Sequence, residues 1–214
     1  MTMARVISLT ELVPNTFILR TERTSEFLIA GQCFSIGTSD LAINREYSIY
    51  SGVHEDYFEF LIRRVEGGAV SQALCSLTPN TYVDIWGPFG KFIIDENQID
   101  SQKFIFISTG TGIAPFNSFV NSYPTLNYIL LHGVRTDEEV HPDSRFKPET
   151  YFACVSQSKN EMRRMRVTKM LQKFEFSENQ TFYLCGNQSM ISESIALLRQ
   201  REINGDRIFT ETFF

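Results

Sequence analysis

The stretch Ser108-Thr-Gly-Thr-Gly-Ile-Ala-Pro-Phe116 holds the densest set of residues suited to binding chemistry. Gly110 and Gly112 allow a tight turn and close backbone approach by a ligand, and Pro115 suits the first turn of a following helix. An apolar strand, a glycine turn and a helix N-terminus make a diphosphate cradle, because free N–H groups and the positive end of the helix dipole converge there. The spacing is not the GxGxxG of the usual dinucleotide fingerprint. A tight turn that uses its glycines for packing alone is the plainer alternative.

Two further clusters carry weaker signals. In Arg45-Glu-Tyr-Ser48, alternation along a strand puts Arg45 and Tyr47 on one face and Ser48 on the other. An Arg beside an aromatic and a hydroxyl suits a phosphate, a planar ring and a ring nitrogen; a solvated strand with one buried Tyr is the more frequent explanation of such a cluster. Gly67-Gly-Ala-Val-Ser71 offers backbone N–H groups and a hydroxyl to phosphate, or is only a hairpin turn. His54 and His141 fall in polar loops and His132 ends a strand. None has a second His or a carboxylate at ligand spacing, so structural or solvated roles are expected and no metal site.

Two kinds of element must position these groups. In the first half, Val6–Leu12, Thr16–Thr21, Cys33–Ile36, Arg45–Tyr50, Tyr57–Arg64, Val70–Leu77 and Thr81–Trp86 read as short strands separated by turn clusters such as VPN, AGQ, EGG and TPN. The stretch Gln72–Leu77 could instead begin as a short helix. Strand spacing near ten residues predicts a small antiparallel barrel or sandwich. In the second half, apolar runs at 104–108, 128–134, 151–156, 181–185 and 207–213 alternate with helical patterns near 113–122, 161–174 and 188–203. That rhythm predicts a doubly wound parallel sheet, in which ligands bind at the carboxyl ends of the strands. The expected division is an antiparallel β-barrel over 1–98 and an α/β domain over 103–214, joined by the polar run 95–102.

Composition narrows the alternatives. No apolar run approaches the ~20 residues of a membrane span, and the start MTMARVISLT lacks the pattern of a signal peptide. Cys33, Cys75, Cys154 and Cys185 are widely separated, which argues against a zinc site, an iron–sulfur cluster or a disulfide scaffold and predicts a cytoplasmic protein. A net charge of −5 disfavours nucleic acid as a partner. Residues 1–100 carry 7 Lys/Arg and 13 Asp/Glu, while Lys159–Lys173 alone holds six basic residues, so the halves are expected to have separate jobs.

Taken in order, Arg45-Glu-Tyr-Ser48, Gly67-Gly-Ala-Val-Ser71, Gly110-Thr-Gly-Ile-Ala-Pro-Phe116, Cys185-Gly-Asn187 and Glu211-Thr-Phe213 resemble the ferredoxin–NADP⁺ reductase family across essentially the whole chain. The stretches REYSIYSG, HGVR and STGTGIAPF most resemble its bacterial ferredoxin/flavodoxin reductase branch. The resemblance implies a flavin-dependent oxidoreductase that passes hydride between NADPH and FAD and single electrons to or from a ferredoxin or flavodoxin. Under it, Arg45 pairs with the flavin's phosphate, Tyr47 packs on the isoalloxazine and Ser48 lies near N5. Phe60, Leu61 and Ile62 offer backbone to the flavin's pyrimidine edge, and Gly68, Ala69, Val70 and Ser71 bind its phosphates. Thr111 lies over the flavin's dimethylbenzene or ribityl side. Gly110, Gly112, Ile113 and Pro115 form the turn that receives the nicotinamide nucleotide's diphosphate, and Cys185, Gly186 and Asn187 line the nicotinamide approach.

For NADP(H) over NAD(H), the resemblance points to Ser156, Arg166 and Arg135. It also exposes a departure, Gln157 where an Arg is expected, for which Lys159 is a candidate substitute. The plainer role for Arg163, Arg164, Lys169 and Lys173 is a solvated helix face, and for most of these four that is the preferred reading. The terminal Glu211-Thr-Phe213 matches the family's Glu-x-Tyr with Phe for Tyr; Phe213 or Phe214 would stack on the flavin, and Glu211 would be a proton relay or a polar strand end. Ser48, Cys185, Glu211 and Phe213 are thus the candidates nearest the chemistry, with Cys185 not required as a nucleophile. A ferredoxin or flavodoxin is the expected partner, met by the basic segment 159–173, and the chain is expected to be a monomer. Short loops at Ser51–Asp56 and Leu77–Asn80 would leave the adenosine of FAD exposed. An NAD(P)H:flavin reductase with flavin as a loose substrate, or a non-catalytic flavin-bearing adaptor, are the alternatives.

Overall fold

The computed structural model describes residues 2–141 and 145–213. Contacts divide the chain into two compact units. One runs to Ile93 and includes Ala114–Ser122; the other comprises Ile94–Ile113 and the chain from Tyr123 onward.

In the first unit, β1 (Thr2–Val13), β2 (Thr16–Glu22), β3 (Cys33–Gly37), β4 (Arg45–Ser48), β5 (Tyr57–Arg63) and β6 (Tyr82–Phe89) form one antiparallel sheet in the order β4-β3-β6-β1-β2-β5. An antiparallel bridge between Ile49 and Phe60 joins the two ends of that order and rolls the sheet into a barrel. Period-two alternation drives this: on β1, Ala4 and Val6 are fully buried while Met3 and Ile7 face out. Phe34, Phe58 and Phe60 fill the interior, with ring centroids 4.8 Å (Phe34–Phe58) and 5.7 Å (Phe34–Phe60) apart. The VPN and TPN turns each place an Asn, Asn15 and Asn80, at positive φ, a conformation Asn tolerates better than most residues.

The expected strand over Val70–Leu77 is instead a helix, α1 (Ala69–Leu74). Gly67 takes φ +74°, and Ser71 Oγ accepts from Val65 N and donates to Gly68 O, which closes the turn that starts the helix. Val70 and Leu74, four residues apart, then share the buried face. The helix α2 (Ala114–Ser122) packs within this unit: Phe116 and Phe119 each lie 6.0 Å from Phe92, and Asn117 Nδ2 donates to Tyr50 O.

The second unit carries β7 (Lys103–Thr109), β8 (Tyr128–Val134), β9 (Tyr151–Val155), β10 (Gln180–Asn187) and β11 (Ile208–Phe213), all parallel, in the order β11-β10-β7-β8-β9. Their near-continuous apolar runs suit strands covered on both faces; Ile105, Ile107, Leu131, Phe182 and Leu184 form the core with residues of α3 (Val167–Leu171) and α4 (Gln188–Gln200). The helix expected over 161–174 is shorter than its pattern suggested. Asn160 caps a single 3₁₀ turn at Glu161–Arg163, Arg164 and Met165 then pair with the end of β9 through Val155, and α3 begins only at Val167. Among the described residues, no helix is long and apolar enough to cross a membrane.

Phe60→Ala removes the fully buried ring that meets both Phe34 and Phe58. We expect it to lower stability by about 3–5 kcal/mol, read as a reduced urea midpoint for barrel unfolding; an unchanged midpoint would contradict this packing.

Candidate functional site

In the parallel sheet the order of strands reverses between β7 and β10, so the connections leaving these two neighbours run to opposite sides. Their carboxyl ends meet with very little room. A Cβ on Gly112 would come well inside van der Waals contact with the carbonyl of Cys185, and one on Gly186 (φ +129°) would strike Thr109. Thr109 Oγ1 accepts from Asn187 N at 2.9 Å, tying the two strand ends together. Gly110, at φ +54°, differs: nothing lies within 4 Å of where its Cβ would be, so a glycine-lined surface stands open beside the turn. Gly110–Ile113 forms a 3₁₀ turn running directly into α2, with Pro115 at its second position.

Residues of the second strand end are committed to structure. Cys185 is fully buried, and its thiol contacts a carboxylate oxygen of Glu211 at 3.7 Å; burial first, then that carboxylate, holds its pKa well above the usual range. It is therefore a neutral thiol and a poor nucleophile. Asn187 caps α4 by accepting from Ser189 N, and Phe213 lies opposite Asn187 in the β10–β11 register, partly buried. Phe214 lies outside the described residues.

At the carboxyl end of β9 a cavity of about 390 Å³ is lined by Ser156, Arg164, Met165, Arg166, Lys169, Gln172 and Lys173. Its lining has four cations, of which Arg164 also pairs with Glu161 at 3.5 Å, and no carboxylate, so it suits a phosphate dianion, with the Ser156 hydroxyl nearby. The structure brings Ser156 and Arg166 together. Arg135 does not line the cavity, although its carbonyl accepts from Gln157 N. Lys159 is not the substitute for the missing Arg: its Nζ pairs with Glu138 at 2.8 Å, away from the cavity lining. Arg164, Lys169 and Lys173 line it too, while remaining exposed as the solvated-face reading expects.

Two buried histidines support this edge of the sheet. His132, on β8, has Nε2 2.9 Å from Gly110 O and Nδ1 2.9 Å from Tyr151 Oη, and His141 meets its ring edge-on at 5.7 Å. Burial lowers the His132 pKa to about 4, opposed by the Gly110 hydrogen bond and Glu139. Burial, His132 and Arg145 lower that of His141 to about 3. His141 sits in a polar stretch of sequence yet is 7% exposed, which no local pattern reveals.

In the first unit, Arg45 and Tyr47 lie opposite Ile36 and Phe34 on β3, and Ser48 opposite Cys33. Tyr47 packs against the barrel core, and burial, with the Cys75 thiol at the end of α1 adding, pushes its phenol to about 12. Tyr47 and the Val70 and Leu74 side chains of α1 thus pack on the same barrel core. Arg45 is exposed, donating to Asn44 O. The side chains of Phe60, Leu61 and Ile62 are core; on the backbone Phe60 bridges Ile49, and Leu61 and Ile62 lie opposite Ile18 and Phe17 of β2. The Ser71 hydroxyl serves its own turn. What the segment offers a ligand is the first-turn N–H groups of Ala69, Val70 and Ser71, beside a Gly67 with nothing within 4 Å of its Cβ position. The loop after Ser51 is tied down by Arg23, whose Nη1 donates to Val53 O and Glu55 O. Among the described residues no cluster of His, Cys, Asp and Glu could hold a metal ion.

Comparison with known proteins agrees with both halves of this geometry. Residues 4–94 match the oxidoreductase FAD-binding domain family and residues 106–194 the oxidoreductase NAD-binding domain family. The phenol hydroxylase P5 protein of Acinetobacter pittii is 28% identical over 98% of the chain, which spans only 65% of that relative's length. A ferredoxin–NADP reductase of Pseudomonas aeruginosa is 25% identical over 82% of the chain and 78% of its own. A ferredoxin NADP⁺ reductase from Neisseria gonorrhoeae, crystallised with bound FAD and NADP, shares the fold at a TM-score of 0.87, with 18% identity over 100% of this chain and 98% of that one.

Two predictions follow from the geometry. Gly112→Ala drives a methyl into the Cys185 carbonyl, whereas Gly110→Ala meets only the left-handed φ penalty of about 1–2 kcal/mol. Denaturant titration should therefore rank Gly112→Ala as the more damaging; equal losses would contradict the close crossing. The histidines set an acid limit. The unfolded chain takes up protons near pH 6.5, while the folded one refuses them until about 4 and 3. Stability held above pH 6.5 should decline as pH falls toward 4, and His132→Gln should flatten that decline; a pH-independent urea midpoint over this range would count against it.

Proposed function

Because the chain belongs to the ferredoxin–NADP⁺ reductase family, we propose that it acts as an NADPH-dependent flavoprotein reductase exchanging electrons with a ferredoxin or flavodoxin. The observation that carries the NADPH part is the cavity at the end of β9, where Ser156 stands with Arg164, Arg166, Lys169 and Lys173 and no carboxylate. A phosphomonoester on a nucleoside ribose carries nearly two negative charges, which this set matches and which NADH lacks. Two of the contacts are guanidinium groups, suited to forked recognition of phosphate.

FAD, when bound, supplies the exchange between two-electron nicotinamide chemistry and one-electron transfer. The chain's own residues bind and orient. Arg45 offers an exposed guanidinium to a flavin phosphate, Tyr47 a phenol ring held against the barrel, and Ser48 a hydroxyl at the end of β4. The first-turn N–H groups of Ala69 to Ser71 complete the phosphate donors, and β5, last in the strand order, would offer backbone beyond its Ile49 bridge to the flavin's polar ring edge. On the nucleotide side, the Gly110–Ile113 turn presents backbone donors to a diphosphate, supported by Pro115. Cys185 and Gly186 line the adjacent strand end as a compact, uncharged wall. Its neutral thiol assigns it no proton or nucleophile role. Glu211 is the nearest ionisable group to that thiol, and Phe213 supplies an aromatic surface at the same strand ends.

The fate of the basic segment also supports a nucleotide role in preference to partner docking. Four of its cations line the cavity and Lys159 is paired with Glu138. A ferredoxin or flavodoxin would then be received elsewhere on the surface.

The test uses the purified chain with FAD. NADPH should reduce it with a far lower KM than NADH, and Arg166→Ala should raise the NADPH value at least tenfold, about 1.4 kcal/mol, while leaving NADH little changed. Equal use of the two nucleotides by the wild-type protein would sink the cofactor assignment, and no reduction of any ferredoxin or flavodoxin would sink the partner class.

A further inference from the structure

His132 spans two strand gaps at the carboxyl edge of the parallel sheet. Its Nε2 lies 2.9 Å from the carbonyl oxygen of Gly110, past the end of β7, and its Nδ1 lies 2.9 Å from Tyr151 Oη on β9. A carbonyl oxygen only accepts, so Nε2 carries the proton; Nδ1 must then accept from the tyrosine hydroxyl. The ring is 1% exposed, and its two partners admit one neutral tautomer.

The Gly110 end of this contact has a consequence for its neighbour. The Gly110 carbonyl and the Thr111 N–H belong to one planar trans peptide unit and point in opposite directions. Drawing the carbonyl onto His132 turns the Thr111 N–H to the other side of the turn. His132 adds to the restraint of the 3₁₀ turn that Gly110 opens: at φ +54°, with nothing within 4 Å of its Cβ position, no side-chain packing helps to set its peptide plane, and glycine rotates more freely than any other residue.

We propose that His132 is a positioning residue for nucleotide binding: through Gly110 it aims the Thr111 N–H at the anionic diphosphate, and Tyr151 holds the imidazole in the donating tautomer. The inference rests on the nucleotide reading of the Gly110–Ile113 turn. It assigns His132 no contact with the nucleotide and no proton transfer. It also accounts for a buried histidine beside the glycine turn that neither a core-packing nor a metal-ligand role explains. An aliphatic side chain would fill the same volume without ordering Gly110.

The whole protein is used for the test, with two substitutions of opposite reach. Gln sets an amide N–H close to where Nε2 donates, whereas Asn is too short to reach Gly110. Titration of the wild type and both variants with NADP⁺ and with 2′-AMP, which has the 2′-phosphate but no diphosphate, separates the two parts of the site. His132→Asn should weaken NADP⁺ binding about tenfold, the scale of one lost buried hydrogen bond, and leave 2′-AMP binding within about twofold, with His132→Gln restoring most of the NADP⁺ affinity. Unchanged NADP⁺ affinity in His132→Asn would overturn the proposal, as would an equal loss for both ligands, which marks general damage. Independently of any ligand, ¹⁵N NMR of labelled histidine should show the Nε2–H tautomer at His132; the Nδ1–H form would overturn this role while leaving the nucleotide reading intact. A wild-type protein with that tautomer that binds neither NADP⁺ nor 2′-AMP would instead overturn the nucleotide reading on which it rests.

Discussion

The functional edge of the parallel sheet depends on one steric constraint: two backbones pass each other where no side chain fits. Gly112 runs against the carbonyl of Cys185, and Gly186 against Thr109. Adjacent parallel strands whose connections leave in opposite directions open a crevice at their carboxyl ends. The crevice is useful only if the turn after β7 stays low enough to present its N–H groups. Two glycines on facing segments meet that requirement, and the Thr109–Asn187 hydrogen bond holds it. A methyl at either place would lift the turn off the sheet.

Electrostatics then sorts the groups around that edge into those that stay neutral and those that carry charge. Burial keeps His132 and His141 unprotonated and the Cys185 thiol protonated, so these three act as packing and hydrogen-bonding groups at neutral pH. Permanent positive charge gathers at the cavity after β9, where four Arg and Lys side chains line the wall without a carboxylate among the lining residues. Such a division suits a protein whose chemistry is carried by bound cofactors, because the chain needs to position charge and not to titrate. The barrel follows the same pattern: Tyr47 is held neutral by burial, while Arg45 stays at the surface.

Where local pattern and tertiary packing agree, the sequence was informative. The apolar runs at 104–108, 128–134 and 181–185 fall inside β7, β8 and β10 because strands buried on both faces need little but apolar content. Pattern misled where a turn or cap overrode it. Val70–Leu77 looks β-prone, yet the Gly67-Gly68 turn and the Ser71 hydroxyl start a helix there. Residues 161–174 look helical throughout, yet Arg164 and Met165 are drawn into pairing with Val155. That pairing moves the start of α3, and Lys169 and Lys173 line the cavity while staying exposed to solvent. Lys159, the expected stand-in for a missing Arg, is taken by Glu138.

By itself, the sequence determined the two rhythms of secondary structure and the family. The order of the motifs also located the glycine turn, Ser156 and Arg166. These are matters of residue type and local spacing, which the chain carries along its length. Only the tertiary structure decided which groups share a site: His132 with Gly110 and Tyr151, Gly112 with Cys185, and Arg164, Lys169 and Lys173 with Ser156. The physical reason is that each of these contacts joins segments from different elements, and its sign depends on burial and on close approach within an ångström. Residue type specifies a donor, an acceptor or a charge, but sheet register and the absence of a Cβ settle what it meets.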